Sequence, residues 1–189
     1  MQDNSRLPPF RTLAITGGLL SDAEMNRLIG QHESQVGQGQ VGAGSENADV
    51  RRSQIHFFRN TPDNEWLYRR VWEAASECNA RFMGADITGI EGNIQLARYD
   101  ASDQGFYNWH TDFGRLAPNR KISISIQLSA PEDYDGGDLE FLFDTAPYRA
   151  DRERGTFIAF PSFVVHRVAP VTRGTRWSLV AWITGPRWR

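Results

Sequence analysis

The sequence is poor in cysteine, and its single Cys78 excludes an internal disulfide and a cysteine-based zinc site. A chain without disulfides is typical of a reducing compartment, where thiols are kept reduced. No apolar run approaches the roughly 20 residues of a membrane-spanning helix, and the N-terminus lacks the basic and apolar regions of a secretory signal. We therefore expect a soluble cytoplasmic protein that does not bind membranes.

The sequence also lacks a large net charge, since the formal value is −2 at pH 7. A chain this close to neutral has no general electrostatic attraction to nucleic acid, so we expect no nucleic-acid partner. Its 189 residues, of which 40% are hydrophobic and 23% charged, suit a globular domain with a substantial core. No repeat or linker interrupts the chain, which predicts a single domain over residues 1–189.

Two helices are predicted in the first half of the chain. Ser21 and Glu24 have the spacing of a capping box, in which each side chain satisfies an amide at the helix start. The second helix is expected to start at Thr61, with Pro62 at its first helical position. Gly84 is a suitable place for this helix to stop.

The segment between the two predicted helices is rich in glycine over residues 36–48. Glycine packs no side chain and loses much conformational entropy on folding, so this segment is expected to be a mobile loop. Long loops in compact domains often act as lids or binding loops. Residues 1–89 are therefore expected to combine helical support with a lid, and a strand is predicted at residues 53–58.

From residue 90 the sequence consists mainly of short runs rich in β-branched and aromatic residues, separated by turn sequences such as "YDGGD" and "TRGT". Short strands at even spacing indicate a sandwich or a barrel. With the helices packed on one sheet, the expected fold class is α+β around a β-sandwich core.

The predicted strand "KISISIQLS" alternates polar and apolar residues. Since side chains alternate across a strand, its isoleucines share one face and its polar residues share the other. Two interpretations of the polar face are open: it is exposed to solvent, or it points into the mouth of a barrel that holds a polar ligand. The residues of this polar face are Ser123, Ser125 and Gln127.

A candidate metal site begins with His110 and Asp112, which are two residues apart and would project from the same side of a strand. Alone, this spacing is also compatible with a hydrogen-bonded pair in the core. His166, at the end of another predicted strand, supplies a third ligand. Two histidines and one carboxylate on one face of a metal leave three positions open, as in non-haem Fe(II) oxygenases.

A candidate anion site follows the metal site along the chain. Arg176 comes ten residues after His166 and would share a strand face with Ser178, Val180 and Trp182. A guanidinium inside a barrel is costly unless it meets an anion. It grips a carboxylate through two parallel hydrogen bonds, to which Ser178 can add a third. The alternative for this arginine is a surface position at the end of a hairpin.

The order of these motifs resembles that of a known family. "HTD", "DYDGGDLEF", "FPSFVVHRVAPVTRGTRWS" and "AWI" occur in the order found in Fe(II)/2-oxoglutarate-dependent dioxygenases. In particular, the sequence resembles the prolyl 4-hydroxylase-like branch and the bacterial PKHD-type hydroxylases over residues 90–185. The resemblance implies a distorted double-stranded β-helix, a jelly-roll or cupin-like fold, with residues 90–185 as the catalytic core.

The resemblance also implies roles for individual residues. His110, Asp112 and His166 match the iron ligands of the family. Arg176 matches the basic residue that binds the distal carboxylate of 2-oxoglutarate. Tyr99 matches a tyrosine that hydrogen-bonds this cosubstrate.

Further residues are expected around the cosubstrate and the substrate. Gln127 stands where related enzymes often have a tyrosine that lines the cosubstrate site. The other residues expected to line that site are Ser125 and Ser178. On the substrate side, "VRRSQIHFF" looks like the arginine–serine segment of prolyl hydroxylases, whereas Tyr107 belongs either to the substrate site or to the core. The expected substrate contacts are Trp182, Arg52, Ser53 and Tyr107.

The implied reaction is hydroxylation of an unactivated C–H bond with Fe(II), 2-oxoglutarate and O2, and the resemblance raises ascorbate as a further cofactor. The expected substrate is a prolyl residue in a peptide or protein, and the alternative is a free amino acid or small metabolite. A zinc hydrolase with the same three ligands and a non-catalytic structural module are two further hypotheses. The zinc hydrolase would not need Arg176 inside the barrel.

Overall fold

The structure, a computed structural model, describes residues 13–33, 37–38 and 48–187. Within these residues the chain forms two α-helices, three short helical turns and fourteen strands. The helices are α1 (Asp22–His32) and α2 (Glu65–Cys78), and the turns are Asn79–Met83, Ala101–Asp103 and Pro131–Asp133. The strands are β1 (Ala14–Thr16), β2 (Gly37–Gln38), β3 (Arg51–Arg52), β4 (Gln54–Phe58), β5 (Gly89–Ile90), β6 (Ile94–Asp100), β7 (Phe106–His110), β8 (Arg120–Gln127), β9 (Tyr134–Gly136), β10 (Leu139–Phe141), β11 (Tyr148–Arg149), β12 (Phe157–Pro161), β13 (His166–Val168) and β14 (Val171–Thr184).

The described strands form two antiparallel sheets. The larger sheet has nine strands in the order β1-β12-β8-β14-β6-β4-β2, with β5 and β9 also paired to β14. The smaller sheet has five strands in the order β11-β10-β13-β7-β3. Most neighbours in both sheets are distant in sequence, with β10 and β11 as an exception, which is the pattern of a sandwich built from crossing connections.

Alternation along the strands of the larger sheet separates two hydrophobic clusters. On β12, Phe157 and Ala159 belong to the cluster that contains the apolar faces of α1 and α2. Ile158 and Phe160 belong to the second cluster, which also contains Phe141 of the smaller sheet. The helices therefore cover one face of the larger sheet and the smaller sheet covers the other, so the predicted α+β arrangement is confirmed.

The helix boundaries agree with the sequence at α1 and differ at the start of α2. The capping box at Ser21 and Glu24 is present. Contrary to expectation, α2 begins at Glu65, because the Thr61 carbonyl accepts the Asn64 N–H at 2.9 Å and closes a separate turn first. The helical stretch ends as predicted at Gly84, which has a φ of +64°.

A second correction concerns "TRGT", which was expected to form a turn. These residues lie within β14, where Gly174 adopts a φ of +69°. The strand pairs with β9 before this glycine and with β6 and β8 after it. The left-handed backbone conformation of Gly174, which glycine adopts without steric cost, therefore lets the strand change its pairing partners without ending.

Two further expectations concern the glycine-rich loop and the absence of a membrane-spanning helix. The glycine-rich loop predicted over residues 36–48 lies outside the described residues, apart from Gly37–Gln38, which pair with β4, and Ala48. In the part of the chain that is described, no helix is both long enough and apolar enough to cross a bilayer.

Candidate active site

The two histidines and the aspartate predicted as metal ligands lie together between the sheets. His110, the last residue of β7, is the direct partner of His166, the first residue of β13. Asp112 lies beyond the end of β7 and so does not share the strand with His110, but the two side chains project together as predicted. Asp112 reaches the site because the amides of Asp112 and Phe113 both donate to the Ser162 carbonyl at 2.9 Å. One ligand atom from each of the three side chains lies within 4.8 Å of the others.

Backbone carbonyls orient both imidazoles. Nδ1 of His110 is 2.7 Å from the Asn108 carbonyl, and Nδ1 of His166 is 2.9 Å from the Val164 carbonyl. A carbonyl only accepts, so each Nδ1 carries the proton and each Nε2 keeps a free lone pair. The Nε2 atoms of His110 and His166 lie 3.7 Å and 3.5 Å from the Asp112 carboxylate oxygens. Three donors thus converge on one point, as a divalent metal requires.

The protonation of the site also fits a metal. Burial, and after it the neighbouring His166, lower the pKa of His110 to about 4. Burial alone would raise the pKa of Asp112, but the two imidazoles and a hydrogen bond from Ser123 outweigh it, so that this pKa is lowered. A neutral imidazole beside an ionised carboxylate is the state in which these groups bind metals.

Aromatic rings pack against the two histidines. Tyr107 stacks on His110 with ring centroids 3.6 Å apart, and Phe160 meets His166 edge-on at 4.7 Å. Burial raises the pKa of Tyr107 to about 12, so its phenol remains protonated and able to donate a hydrogen bond. These contacts fix the ring positions and exclude water from one side of the site.

A cavity leads from the three ligands into the space between the sheets. Its wall includes one face of β14, with Arg176, Ser178, Val180 and Trp182 as the sequence predicts. Of the other residues expected around the cosubstrate and substrate, Tyr99, Ser125 and Tyr107 also line it. The polar face of β8 is buried, so its interpretation as an exposed face is wrong.

Arg176 is a buried cation at one end of this cavity. It is 1% exposed, and its hydrogen bonds go to two neutral groups, Gln127 Oε1 at 2.8 Å and Ser178 Oγ at 3.3 Å. Among the described residues it has no carboxylate partner, and its Nε has no hydrogen-bond partner. A buried guanidinium without a counter-charge is strongly disfavoured, so the site fits an anionic ligand such as a carboxylate.

Gln127 lies behind Arg176 and does not line the cavity. Its carbonyl oxygen accepts from Arg176, and its amide donates to the Asp151 carbonyl at 3.2 Å. The side chain therefore connects the guanidinium to the backbone, whereas the resemblance had placed it beside the cosubstrate.

The arginine that faces the cavity from β3 is Arg51. Its Nε donates to Ser53 Oγ at 2.6 Å, and its guanidinium lies 4.7 Å from the Tyr107 ring centroid. Arg52, which was expected to contact the substrate, points away and donates to the carbonyls of Ala48 and Asp103. The sequence did contain the signal, because Arg51 and Ser53 are two residues apart and alternation places them on the same side.

An outer groove of about 350 Å³ opens from the cavity to the surface. Arg120 closes one side of it, donating to Glu91 at 2.5 Å and lying 4.0 Å above the Trp182 ring. The groove also exposes Phe57, and it shares five residues with the inner cavity. The shared residues are Arg51, Gln95, Tyr107, Asp112 and Trp182.

Comparison with protein families agrees with this geometry. The sequence model of the 2OG-Fe(II) oxygenase superfamily matches residues 94–184, which contain the three candidate ligands and Arg176. A PKHD-type hydroxylase of Synechococcus is 30% identical over 175 residues, covering 88% of this chain and 75% of the relative. A PKHD-type hydroxylase of Paraburkholderia phytofirmans is 30% identical over 172 residues, covering 86% of this chain and 74% of the relative.

Solved structures share the fold at lower sequence identity. A Pseudomonas putida prolyl-4-hydroxylase superimposes with a TM-score of 0.74 at 18% identity, covering 93% of both chains. A Trichoplax adhaerens prolyl hydroxylase, solved with a peptide of hypoxia inducible factor, gives a TM-score of 0.77 at 20% identity. That likeness covers 92% of this chain and 83% of the other. The predicted jelly-roll fold is confirmed.

Proposed function

Because the chain belongs to the PKHD-type branch of the 2OG-Fe(II) oxygenase superfamily, we propose that it hydroxylates a prolyl residue in a peptide or protein. The family makes the protein an oxygenase that uses Fe(II), 2-oxoglutarate and O2. This membership favours the oxygenase over a zinc hydrolase or a non-catalytic module. We further propose a single domain over residues 1–189, with residues 90–185 as the catalytic core.

His110, Asp112 and His166 are the proposed ligands of Fe(II). Their free Nε2 lone pairs and carboxylate point to one position and occupy one side of it, which leaves the other side for cosubstrate and O2. With O2 and 2-oxoglutarate, bound Fe(II) supplies the oxidation, and the cosubstrate leaves as succinate and CO2. The protein contributes a fixed geometry and a site from which water is excluded.

Arg176 is the proposed anchor of 2-oxoglutarate. Its guanidinium is held by Gln127 and Ser178, and it offers its remaining donors to the carboxylate that is not at the metal. Tyr99, whose ring centroid is 5.5 Å from this guanidinium, and Ser125 line the same part of the cavity. Gln127 acts on the cosubstrate through Arg176, since it lies behind the cavity wall.

The outer groove is the observation that supports a peptide substrate. It runs from Asp112 to the surface past Trp182 and Tyr107, so it can hold residues on either side of a target that reaches the metal. Arg51 faces the inner end of this path, and Ser53, which lines neither the groove nor the cavity, holds its guanidinium, so we assign the substrate contact of the arginine–serine segment to Arg51. The Trichoplax adhaerens enzyme of the same fold was solved with a bound peptide.

The test is succinate formation from 2-oxoglutarate by protein loaded anaerobically with Fe(II) and then exposed to O2. Each reaction is run with and without a panel of proline-rich peptides, and the masses of the peptides are then measured by mass spectrometry. We expect succinate formation that a peptide stimulates, together with the gain of one oxygen atom on that peptide. Slow succinate formation that no peptide stimulates would contradict the peptide assignment and direct the search to small molecules.

Two arginine variants on β14 make the assay specific. Arg176→Ala should abolish succinate formation, because it removes the proposed cosubstrate anchor. Arg173→Ala is the matched control, since Arg173 is exposed on the same strand and paired with Asp135 outside the cavity. Equal activity in both variants would contradict the role of Arg176.

A further inference from the structure

We propose that Ser123 and Ser162 are positioning residues that clamp the Asp112 carboxylate, so that it presents one oxygen to the metal. The inference rests on the proposed function in one respect, namely that Asp112 is a metal ligand. Ser162 was not expected to belong to the site, and Ser123 was expected only to share the polar face of β8.

The contacts of Ser123 are short, and Ser123 itself is fully buried. Its Oγ lies 2.6 Å from Asp112 Oδ2 and 3.0 Å from Ser162 Oγ. Both serines have no exposed surface, so water does not compete for these hydrogen bonds. An O–H bond to a carboxylate at this distance is charge-assisted and is stronger than one between neutral groups.

The directions of these bonds follow from counting protons. An ionised carboxylate only accepts, so Ser123 donates its single hydroxyl proton to Asp112. The proton of the contact between the two serines must then come from Ser162. A one-way chain therefore runs from Ser162 through Ser123 to Oδ2, and it takes up one lone pair of that oxygen and orients the carboxylate.

Ser162 also holds the backbone of Asp112. Its carbonyl accepts the amides of Asp112 and Phe113, and its own amide donates to the Lys121 carbonyl at 3.0 Å. Ser162 belongs to the turn between β12 and β13, and this turn ends at His166. The same turn thus positions the carboxylate ligand and one imidazole ligand relative to each other.

The consequence concerns the number of metal positions that the protein occupies. With Ser123 donating to Oδ2, the carboxylate would be held in one orientation and would favour binding the metal through Oδ1, which uses one position. A carboxylate released from Ser123 can rotate and bind through both oxygens, which would take a position needed by the cosubstrate or O2. Partners that orient metal ligands in this way typically change metal affinity by roughly 10–100-fold when removed.

The test measures the affinity of the purified full chain for Mn(II). Binding is monitored by electron paramagnetic resonance in the absence of cosubstrate. We expect Ser123→Ala to bind Mn(II) at least about 10-fold more weakly than the wild type. Ser123→Thr keeps the hydroxyl and should stay within about 3-fold of the wild type. Ser162→Ala should show an intermediate loss, because Ser123 keeps its proton for Asp112 but loses the donor behind it.

The control is Ser129→Ala, which removes a buried hydroxyl just beyond β8 that bonds to Thr175 and Trp177 and lies away from the ligands. It should bind Mn(II) as the wild type does. Thermal unfolding of each variant separates weak binding from loss of the fold. A Ser123→Ala or Ser162→Ala protein that folds and keeps wild-type affinity would overturn the clamp. A wild-type protein that binds no Mn(II) would overturn the metal site itself, and the clamp with it.

Discussion

Arg176 combines two opposing properties in one residue. Its charge is almost completely buried against neutral partners, which destabilises the ligand-free fold, and the same charge makes the cavity receptive to a carboxylate. Replacement by an apolar residue of similar length should therefore separate stability from function. We expect Arg176→Met to raise the unfolding free energy of the ligand-free protein by about 1 kcal/mol or more, and to weaken 2-oxoglutarate binding by at least about 30-fold.

Calorimetry measures both effects on the same samples. Thermal scans without metal or cosubstrate report stability, and titration of the Mn(II)-loaded protein with 2-oxoglutarate reports binding. Arg173→Met is the control variant, since Arg173 is exposed and pairs with Asp135. Its stability and its affinity for 2-oxoglutarate should both change less than those of Arg176→Met. A destabilised Arg176→Met protein would show that the cation is already compensated in the ligand-free state.

Gln127 controls the charge that Arg176 presents to the cavity. Its neutral oxygen accepts from Arg176 at 2.8 Å, which orients the guanidinium without neutralising it. In Gln127→Glu a carboxylate would take the same position and form a buried ion pair that competes with the cosubstrate. We expect this variant to bind 2-oxoglutarate at least about 10-fold more weakly. Unchanged 2-oxoglutarate affinity in titrations of Gln127→Glu would argue against the orienting role.

The positions of individual site residues were predictable where the residue type and the alternation of side chains along a strand indicate the same role. His110, His166 and Arg176 follow from residue type and spacing, because strand alternation fixes which side chains share a face. The choice between Arg51 and Arg52 was missed, since adjacent residues differ only in which side they face. The clamp on Asp112 was beyond prediction, because it depends on a turn that lies 50 residues further along the chain.

At the scale of elements, Gly174 allows β14 to pair with β9 at its start and with β6 and β8 after the glycine. Its φ is +69°, and a methyl group there would overlap the Asp133 carbonyl. We expect Gly174→Ala to destabilise the protein by roughly 1–3 kcal/mol and to raise the KM for 2-oxoglutarate, because Arg176 lies two residues further along the strand.

Urea unfolding and steady-state kinetics test this expectation. Gly89→Ala is the matched control, since Gly89 lies in β5 without a positive φ and has open space around the position of the added methyl group. Equal stability of the two variants would mean that β14 does not need the left-handed conformation.

An ion pair joins the two helices on the outer face of the sheet. Arg70 of α2 lies 2.7 Å from Glu24 of α1, and this hydrogen bond is the main reason that the pKa of Glu24 is lowered to about 2. A carboxyl whose pKa is lower in the folded state stabilises the protein above its ordinary pKa. That contribution is lost as the pH falls from about 4.5 towards 2.

We therefore expect Glu24→Gln to be less stable than the wild type by on the order of 1 kcal/mol at pH 7. The difference should shrink as the pH falls and disappear near pH 2. Denaturant unfolding at several pH values measures it. Glu77→Gln serves as the control, since the Glu77–Arg81 pair is far more exposed and should contribute little at any pH. A stability difference that is the same at low and neutral pH would refute the electrostatic explanation.

Element types were easier to predict than element limits. The capping box predicts α1, and the proline and glycine signals predict α2, because these signals are local. The start of α2 at Glu65 and the continuity of β14 through Gly174 were missed, since a proline or a glycine can either begin or interrupt an element. Pairing partners decide between these outcomes, and the partners of β14 come from four separate strands.

At the scale of the whole molecule, the site exists only in the folded chain. His110 and His166 come from the smaller sheet, whereas Arg176 and Ser123 come from the larger one. Because the unfolded chain cannot bring these groups together, metal and cosubstrate bind the folded state alone. Their binding free energy is then added to the unfolding free energy of the protein.

The expected result is one cooperative unfolding transition that shifts upward as a whole. At about 100 times its Kd, a ligand adds roughly 2.7 kcal/mol, which corresponds to on the order of 5–10 °C for a chain of this size. Thermal scans with Mn(II) and 2-oxoglutarate should show this shift, and Asp112→Ala should lose most of it. Asp135→Ala, at an exposed position outside the site, should keep it. Two separate transitions, of which only one responds to the ligands, would contradict the single domain, because the part that responds would then fold without the helices.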